Sequence, residues 1–443
     1  MKLLIWIDNF IGVYIEFRAE RNVLLKSCLK CNLEKIEVEM KILIICQHYY
    51  PENFRINDIS FELSKKGHEV TVLTGLPNYP QGRVLKEYKF FKNRNQEINA
   101  VKIIRSSLIG RGKSSIKMLL NYAWFAFFGS LKALVMKKDF DIVYVYQLSP
   151  ITMAWPAIVV KKIKKIPMVI HCLDQWPISL TVGPISKNSF AYKLARKISH
   201  WTYNKADRII ISSRSFKKYF ETEHGFSEKQ KGLTYYPSYA ESDYENVGSI
   251  DNDIFDLVFA GNIGPAQSVE TIVEVANLMK ETKQIMFHII GDGLSLENCK
   301  KLAHQYNLQN IKFYGYHPIQ DILQYYKLAD AFLVTMVDNE VVNSTLPAKI
   351  QSYMLAGKPI FGAINGEVRD VVKEANVGEC CVSGDSVGLA EVIRKVYNDK
   401  EKMGLYGENS YKYYKKNFEK EKCISKLEKI FEEEIEKRRI NNV

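Results

Sequence analysis

What this chain lacks narrows its function before any motif is read. Its eight cysteines make no disulfide framework: Cys380 and Cys381 are adjacent, and Cys46 and Cys172 lie inside apolar, strand-like runs. That excludes a cystine-stapled scaffold and suits a reducing compartment. Cys28 and Cys31 have the spacing of half a zinc site, but no second Cys/His pair stands near them, so no metal is expected. Basic residues are scattered and no nucleic-acid recognition motif occurs, so no nucleic-acid partner is expected. The dinucleotide fingerprint lacks its third glycine, with Leu296 in that place, which disfavours a nicotinamide oxidoreductase. A clean membrane span is missing too. The apolar run 1–17 is interrupted by Asp8 and followed by no small-residue cleavage site. Residues 1–39 are expected to be a poorly structured extension, with the folded protein starting at Met40.

What is present is the composition of a large globular protein. The 443 residues are 47% hydrophobic and 25% charged, enough for two to three domains with sizeable cores. A net charge of +12 points to anionic partners: a membrane surface or a phosphorylated substrate. Apolar runs alternate with amphipathic stretches, the mark of βαβ units and parallel sheets. Strands are expected at 42–46, 69–73, 101–105, 141–146, 167–172 and 208–211, then at 257–260, 286–290, 311–313, 331–334, 359–363 and 378–382. The acidic, aperiodic stretch 237–253 reads as a linker. It divides the chain into Rossmann-like domains at 40–240 and 251–405, with a cleft between them and charged helices at 406–443.

The chemistry-bearing motifs fall at the expected carboxyl ends of strands, where open α/β sheets bind ligands. After the strand at 331–334, a polar loop leads to Pro347 and a short helix closed by Gly357. Lys349 in its first turn is badly placed for the helix dipole unless an anion docks there; the alternative is a solvated surface lysine. Gly291 and Gly293 follow another strand and would let backbone approach a ligand, or simply make a βα turn. Gly261 and Gly264 make a tight loop in which Asn262 and Gln267 could bind a phosphate or a sugar, or serve as polar caps. Glu52, Asn53, Arg55 and Asn57 follow the first strand, and the Arg55 fork suits a phosphate, unless Glu52 and Arg55 form a surface pair. Asp174 and Trp176 end another strand, where a carboxylate and a ring suit a sugar; a helix-capping Asp and a packed Trp are the alternative. The segment 115–137 carries Trp124, Phe125, Phe127 and Phe128, is interrupted by Lys117, Asn121, Ser130 and Lys132, and is flanked by Arg111, Lys113, Lys137 and Lys138. A helix lying in a membrane interface through Trp124, Phe125, Phe128 and Lys132 fits better than a span. A buried helix of the first domain is the alternative.

Together, Gln47–Asp58, Gly67–Pro80, Tyr146–Pro150, Asp174–Pro177, Phe259–Gly264 and Pro347–Pro359 resemble the GT-B glycosyltransferases of retaining family 4. The closest likeness is to the branch of WbuB-like N-acetyl-L-fucosamine transferases. The resemblance implies two Rossmann-like domains, a C-terminal helix returning to the first, and a nucleotide sugar, UDP-linked, held mainly by the second without metal. Lys349, Arg55 and Asp174 become the expected catalytic groups, with Ser344, Ser352 and Tyr353 joining the glycine loops around the donor. Glu52, Asn53, Asn57 and Trp176 fall on the acceptor side. The family's paired glutamates are replaced by Ser344 and Ser352, its diphosphate-binding arginine and lysine by Asn262 and Gln267, and its histidine by Leu173, with His171 two residues earlier on the same strand face. The implied activity is sugar transfer to a lipid-linked saccharide in bacterial surface polysaccharide (O-antigen or capsule) synthesis, by a cytoplasmic protein peripheral on the inner, anionic leaflet. A sugar-nucleotide-binding scaffold and a nucleotide-sugar epimerase are the alternatives; the vacant charged positions favour the scaffold, while Lys349, Arg55 and the glycine loops argue against it.

Overall fold

A computed structural model describes residues 39–441 apart from 113, 137, 183–184, 246, 249 and 251. The extension, with Cys28 and Cys31, and the flanking Lys113 and Lys137 lie outside the described residues. Among the described residues, fourteen strands form two sheets. The first contains β1 (Lys41–Ile45), β2 (Glu69–Thr74), β3 (Asn95–Ile98), β4 (Val101–Arg105), β5 (Ile142–Gln147), β6 (Met168–Cys172), β7 (Arg208–Ile211) and β8 (Thr234–Tyr235). Its order is β3-β4-β2-β1-β5-β6-β7-β8, and only β3 runs antiparallel to its neighbour. The second contains β9 (Phe255–Ala260), β10 (Ile285–Ile290), β11 (Ile311–Gly315), β12 (Ala331–Thr335), β13 (Ile360–Ala363) and β14 (Gly378–Cys381), in the order β11-β10-β9-β12-β13-β14 and parallel throughout. That is the strand order 3-2-1-4-5-6 of a dinucleotide-binding sheet. Each of the twelve expected strands is present. β3 and β8 are the additions.

The central strands are buried on both faces, as parallel strands covered by helices must be. Each sheet therefore has two apolar cores, one per face. The last helix, Lys420–Asn441, leaves the second lobe and packs on the first sheet through Cys423, Leu427 and Phe431. Lys420 pairs with Asp58 and Glu62, and Arg208 with Glu433 and Glu434. The chain's end thus fastens back onto the first lobe.

The helix Ser115–Leu134 begins at Ser114, whose hydroxyl accepts from the Lys117 N–H and caps the first turn. Its inner face is Asn121, Phe125, Ala126, Gly129 and Ala133. Asn121 accepts from Gln47 at 2.6 Å and donates to the Ile109 carbonyl, locking the helix to the loop after β1. Phe125, expected at the membrane, is wholly buried in the first core. The reason is angular: at 100° per residue, positions 121, 125 and 129 share one side of the helix. Trp124 and Phe128 are half-buried and stack 4.6 Å apart, while Lys132 is half-buried on the flank. Among the described residues, no helix is long and apolar enough to cross a membrane.

Candidate functional site

Strand register builds the heart of the site. Ala260 of β9 is level with Ile290 of β10, so the loops opened by Gly261 and Gly291 lie side by side. The Gly261 N–H donates to the Ile290 carbonyl at 2.9 Å. Gly291 has φ 138°, and a Cβ there would sit 1.8 Å from the Gly261 carbonyl oxygen. Gly293 similarly presses on the Ile263 carbonyl. These two glycines let one loop approach the other rather than a ligand. The Asn262 amide donates to the Gln267 side chain at 3.1 Å, and the Gln267 carbonyl accepts from Thr335. The Gly264 N–H donates to the Gln267 side-chain oxygen at 3.3 Å. Asn262 and Gln267 therefore brace the loop from within.

Lys349 opens the helix Lys349–Leu355, and its side chain turns back over the end of β9. The ammonium lies 4.0 Å from the Phe259 ring centroid, and a Cβ on Gly261 would come within 2.9 Å of it. No acidic side chain among the described residues pairs with it, and burial alone pushes its pKa down to about 7. Burial disfavours the charged form. An anion beside Nζ would restore it. The ammonium thus stands beside the Gly261 backbone, where a Cβ would crowd it.

The other expected residues divide sharply. Tyr353 is fully buried; its hydroxyl donates to the Ala260 carbonyl at 3.1 Å and accepts from the Ala260 N–H at 2.9 Å, so it supports the loop and cannot touch a donor. Ser352 leans on the Ala348 carbonyl of its own helix. Ser344 donates to Gln175 across the cleft at 2.8 Å, joining the second lobe to the Asp174 loop. Asp174 takes a hydrogen bond from Ser149, and burial holds its pKa above the usual carboxylate range despite that bond. Gln147 donates to the Asp174 carbonyl at 3.0 Å, so the Tyr146–Pro150 motif serves to fix this loop. Trp176 packs its ring against the first lobe's core.

Arg55 is not the free cation its sequence suggests. It pairs with Glu241 at 2.7 Å and lies 4.8 Å over the Tyr239 ring. Burial alone would lower its pKa, but Glu241, Tyr239 and Asp58 outweigh that and the direction is upward. Glu52 is buried and accepts from the Asn78 and Tyr79 N–H groups and from His48, so it holds a loop rather than an acceptor. Asn57 ties the same segment through Tyr50 and the Glu52 carbonyl. Asn53 alone of this group is exposed. With Arg55, Asn57 and Glu241 it lines a cleft of about 720 Å³ whose other wall includes Pro347 and Ala348. His171 is buried against Tyr144, and desolvation drops its pKa to about 3, so it takes no part in acid–base work in the cleft.

Sequence reasoning missed Phe259, Gln175 and a latch between the lobes. Arg214 donates to Glu367 at 2.8 Å and to Glu374 at 2.6 Å, and Ser215 donates to Glu367 through both its N–H and hydroxyl. Glu367 follows Gly366 at the carboxyl end of β13, so the rule that found the other loops could have found it.

Residues 55–231 match the family model described as Glycosyltransferase Family 4, and residues 241–413 the one described as Glycosyl transferases group 1. The chain is 24% identical over 339 residues to the putative colanic acid biosynthesis glycosyl transferase WcaI of Escherichia coli, covering 72% of this chain and 82% of that protein. Its fold matches the sucrose-phosphate synthase of Thermosynechococcus elongatus with a TM-score of 0.71 at 13% identity, over 89% of this chain and 99% of that one. It matches Anabaena HepE in complex with UDP-glucose at 0.63 and 16%, over 90% and 100%. With a family model on each lobe and the paired Rossmann-like sheets around one cleft, the chain belongs to the group 1/family 4 glycosyltransferases of GT-B fold.

Proposed function

We propose that this protein transfers a sugar from a UDP-linked, N-acetylated deoxysugar to a lipid-linked saccharide during bacterial surface polysaccharide synthesis, as a member of the WbuB-like branch. The observation that carries this reading is the unpaired, desolvated ammonium of Lys349 above Gly261. The likeness to WcaI, a putative colanic acid biosynthesis glycosyl transferase, and to HepE, which holds UDP-glucose, supports the same reading.

In the reaction, an acceptor hydroxyl attacks the anomeric carbon while the bond from that carbon to the diphosphate oxygen breaks. The hydroxyl proton leaves to a phosphate oxygen, giving a glycoside and a nucleoside diphosphate. The transition state is oxocarbenium-like, so the main need is to stabilise charge on the departing diphosphate. Lys349 meets that need without a metal. Attack on the face the diphosphate leaves gives retention. Asp174 is held in place by Ser149 through its side chain and by Gln147 through its carbonyl.

The exposed side of the Ser115–Leu134 helix, which carries Ile116, Leu119, Leu120, Phe127, Leu131 and Leu134, meets the inner leaflet. Thermal shift with a panel of nucleotide sugars tests the donor. A UDP-sugar at a hundred times its dissociation constant should add roughly 2.7 kcal/mol. Mass gain on an undecaprenyl-diphosphate-linked saccharide tests the acceptor. If UDP-sugars bind and no acceptor gains mass, the protein is a scaffold, the reading favoured by Ser344 bonding away from the donor space.

A further inference from the structure

The turn before β3 presents two phenylalanines to solvent for which the cleft has no use. Phe90 is 87% exposed and Phe91 85%. The turn is formed, not frayed: the Lys92 N–H donates to the Lys89 carbonyl at 3.1 Å, and Asn93 donates to the Glu87 carbonyl at 2.9 Å. Phe90, Phe91 and Asn93 have φ of 51°, 64° and 53°. Such left-handed backbone is unfavourable for side chains of this size. Here it holds both rings outward. Around them stand Lys86, Lys89, Lys92 and Arg94 against the single acid Glu87.

The tip connects to the exposed helix face. The Arg94 guanidinium lies 5.5 Å from the Phe91 ring and donates to the Ser106 carbonyl at 3.3 Å. The next residue, Ser107, accepts from the Trp124 indole at 3.4 Å. Trp124 stacks on Phe128, and Phe128 meets Phe127 edge-on at 5.1 Å, where Phe127 is 59% exposed. A run of contacts therefore links Phe91, through Arg94 and the Ser106–Ser107 segment, to the Trp124, Phe128 and Phe127 rings of the helix. The tip sits past the carboxyl end of β4, since the Arg105 N–H donates to the Arg94 carbonyl. That is the cleft end of the sheet, and Arg105 also donates to the Tyr50 carbonyl in the loop leading to Arg55.

We infer that the Phe90–Phe91 tip and the outer stripe of the Ser115–Leu134 helix form one face that docks on an anionic lipid bilayer, with the cleft mouth held at the surface. This rests on the membrane reading of the helix and adds a second, insertable element to it. Rings flanked by lysines are what an anionic interface selects: the rings enter the acyl boundary and the ammonium groups stay with the headgroups. A second contact, at the cleft end, also fixes orientation, which one helix lying flat does not. A lipid-linked acceptor then reaches the cleft without leaving the membrane.

The test is sedimentation of the full chain with phosphatidylcholine vesicles with and without about one third phosphatidylglycerol. Wild type should bind the anionic vesicles, and less so in high salt. Phe90→Glu with Phe91→Glu should lower the partition constant about tenfold or more, and Lys89→Gln with Lys92→Gln should weaken binding to anionic vesicles only. Phe127→Glu with Leu131→Glu reports on the helix alone. If the helix variant loses binding and the tip variant matches wild type, the tip is not a contact and the inference fails while the helix reading stands. If wild type binds neither vesicle, both fail and the face belongs to a protein partner. Thermal shift with UDP, run on the same variants, should be unchanged; vesicle binding without any UDP shift would overturn the transferase reading and leave the docking face intact.

Discussion

Lys349→Met should stabilise the empty protein and disable it. The native side chain holds a cation where burial has lowered its pKa from 10.5 to about 7. At about 1.4 kcal/mol per tenfold change in protonation, that is a cost of at most ~5 kcal/mol. The ring contact with Phe259 returns about 1–2 kcal/mol, and the solvent contact the side chain retains reduces the cost further. A net gain of about 1–2 kcal/mol is therefore expected when a methionine of similar length replaces the lysine. The sign follows from linkage. A lysine whose folded pKa is depressed destabilises most below pH 7, and the penalty fades as pH rises toward 10.5. Urea unfolding of the two empty proteins should accordingly differ most near pH 6 and converge near pH 10.

Ligand binding should move the other way. A diphosphate beside Nζ raises the lysine pKa, so affinity is fully present below about pH 7 and falls as pH climbs through the raised, bound-state value. Titration calorimetry with UDP should show this decline in wild type and a flat, weak profile in Lys349→Met. Turnover should drop about 10²-fold or more, as when one group stabilising a developing anion is removed. A variant that is less stable than wild type, or that keeps the UDP response, would refute the reasoning, because both outcomes require Lys349 to be an ordinary packed or solvated lysine.

Three other outcomes are expected. Gly291→Ala should cost more than about 2 kcal/mol in urea unfolding, because its Cβ would meet the Gly261 carbonyl oxygen at 1.8 Å and its φ of 138° excludes a side chain; a neutral result would mean the two loops do not touch. Tyr353→Phe should cost about 1–3 kcal/mol by leaving the Ala260 peptide group unpartnered in the core, and an unchanged midpoint would contradict the support role given to it. Sugar transfer from a UDP donor should persist in EDTA; loss of activity restored by a divalent ion would show that Lys349 does not act alone on the diphosphate.

The sheets were legible in the sequence because parallel strands, covered on both faces, read as nearly continuous apolar runs, as in Ile142–Gln147 and Ala331–Thr335, each polar only at its last residue. β3 escaped because Asn95–Ile98 is a polar edge strand with no residue fully buried, and β8 because it has only two residues. The loops at strand carboxyl ends that make up the candidate site were also legible as loops. The work of each side chain within those loops was not. Arg55 looks free until Glu241 arrives from 186 positions away, and Glu52 looks acidic and available until the Asn78 and Tyr79 N–H groups close on it. Local sequence shows which groups stand together along the chain. Only folding shows which of them have already spent their charge on one another.

The vacant charges of the family pattern bear on the same point. Ser352 stands three residues after Lys349 on one helix, where side chains are neighbours. A glutamate there would sit within reach of the ammonium, raise its pKa and neutralise it before any ligand arrived. A serine does neither, and its hydroxyl approaches the Ala348 carbonyl instead. Ser344 has likewise turned to Gln175, and Asn262 and Gln267 satisfy each other. Among the described residues no acidic side chain compensates Lys349, which burial has partly desolvated, and there each charge interaction is several-fold stronger than at the surface. Under the proposed function, diphosphate recognition rests on Lys349 in place of several charged groups. That is why the stability gain and the functional loss should appear together at Lys349, and why no change at Arg55, already held by Glu241, should reproduce them.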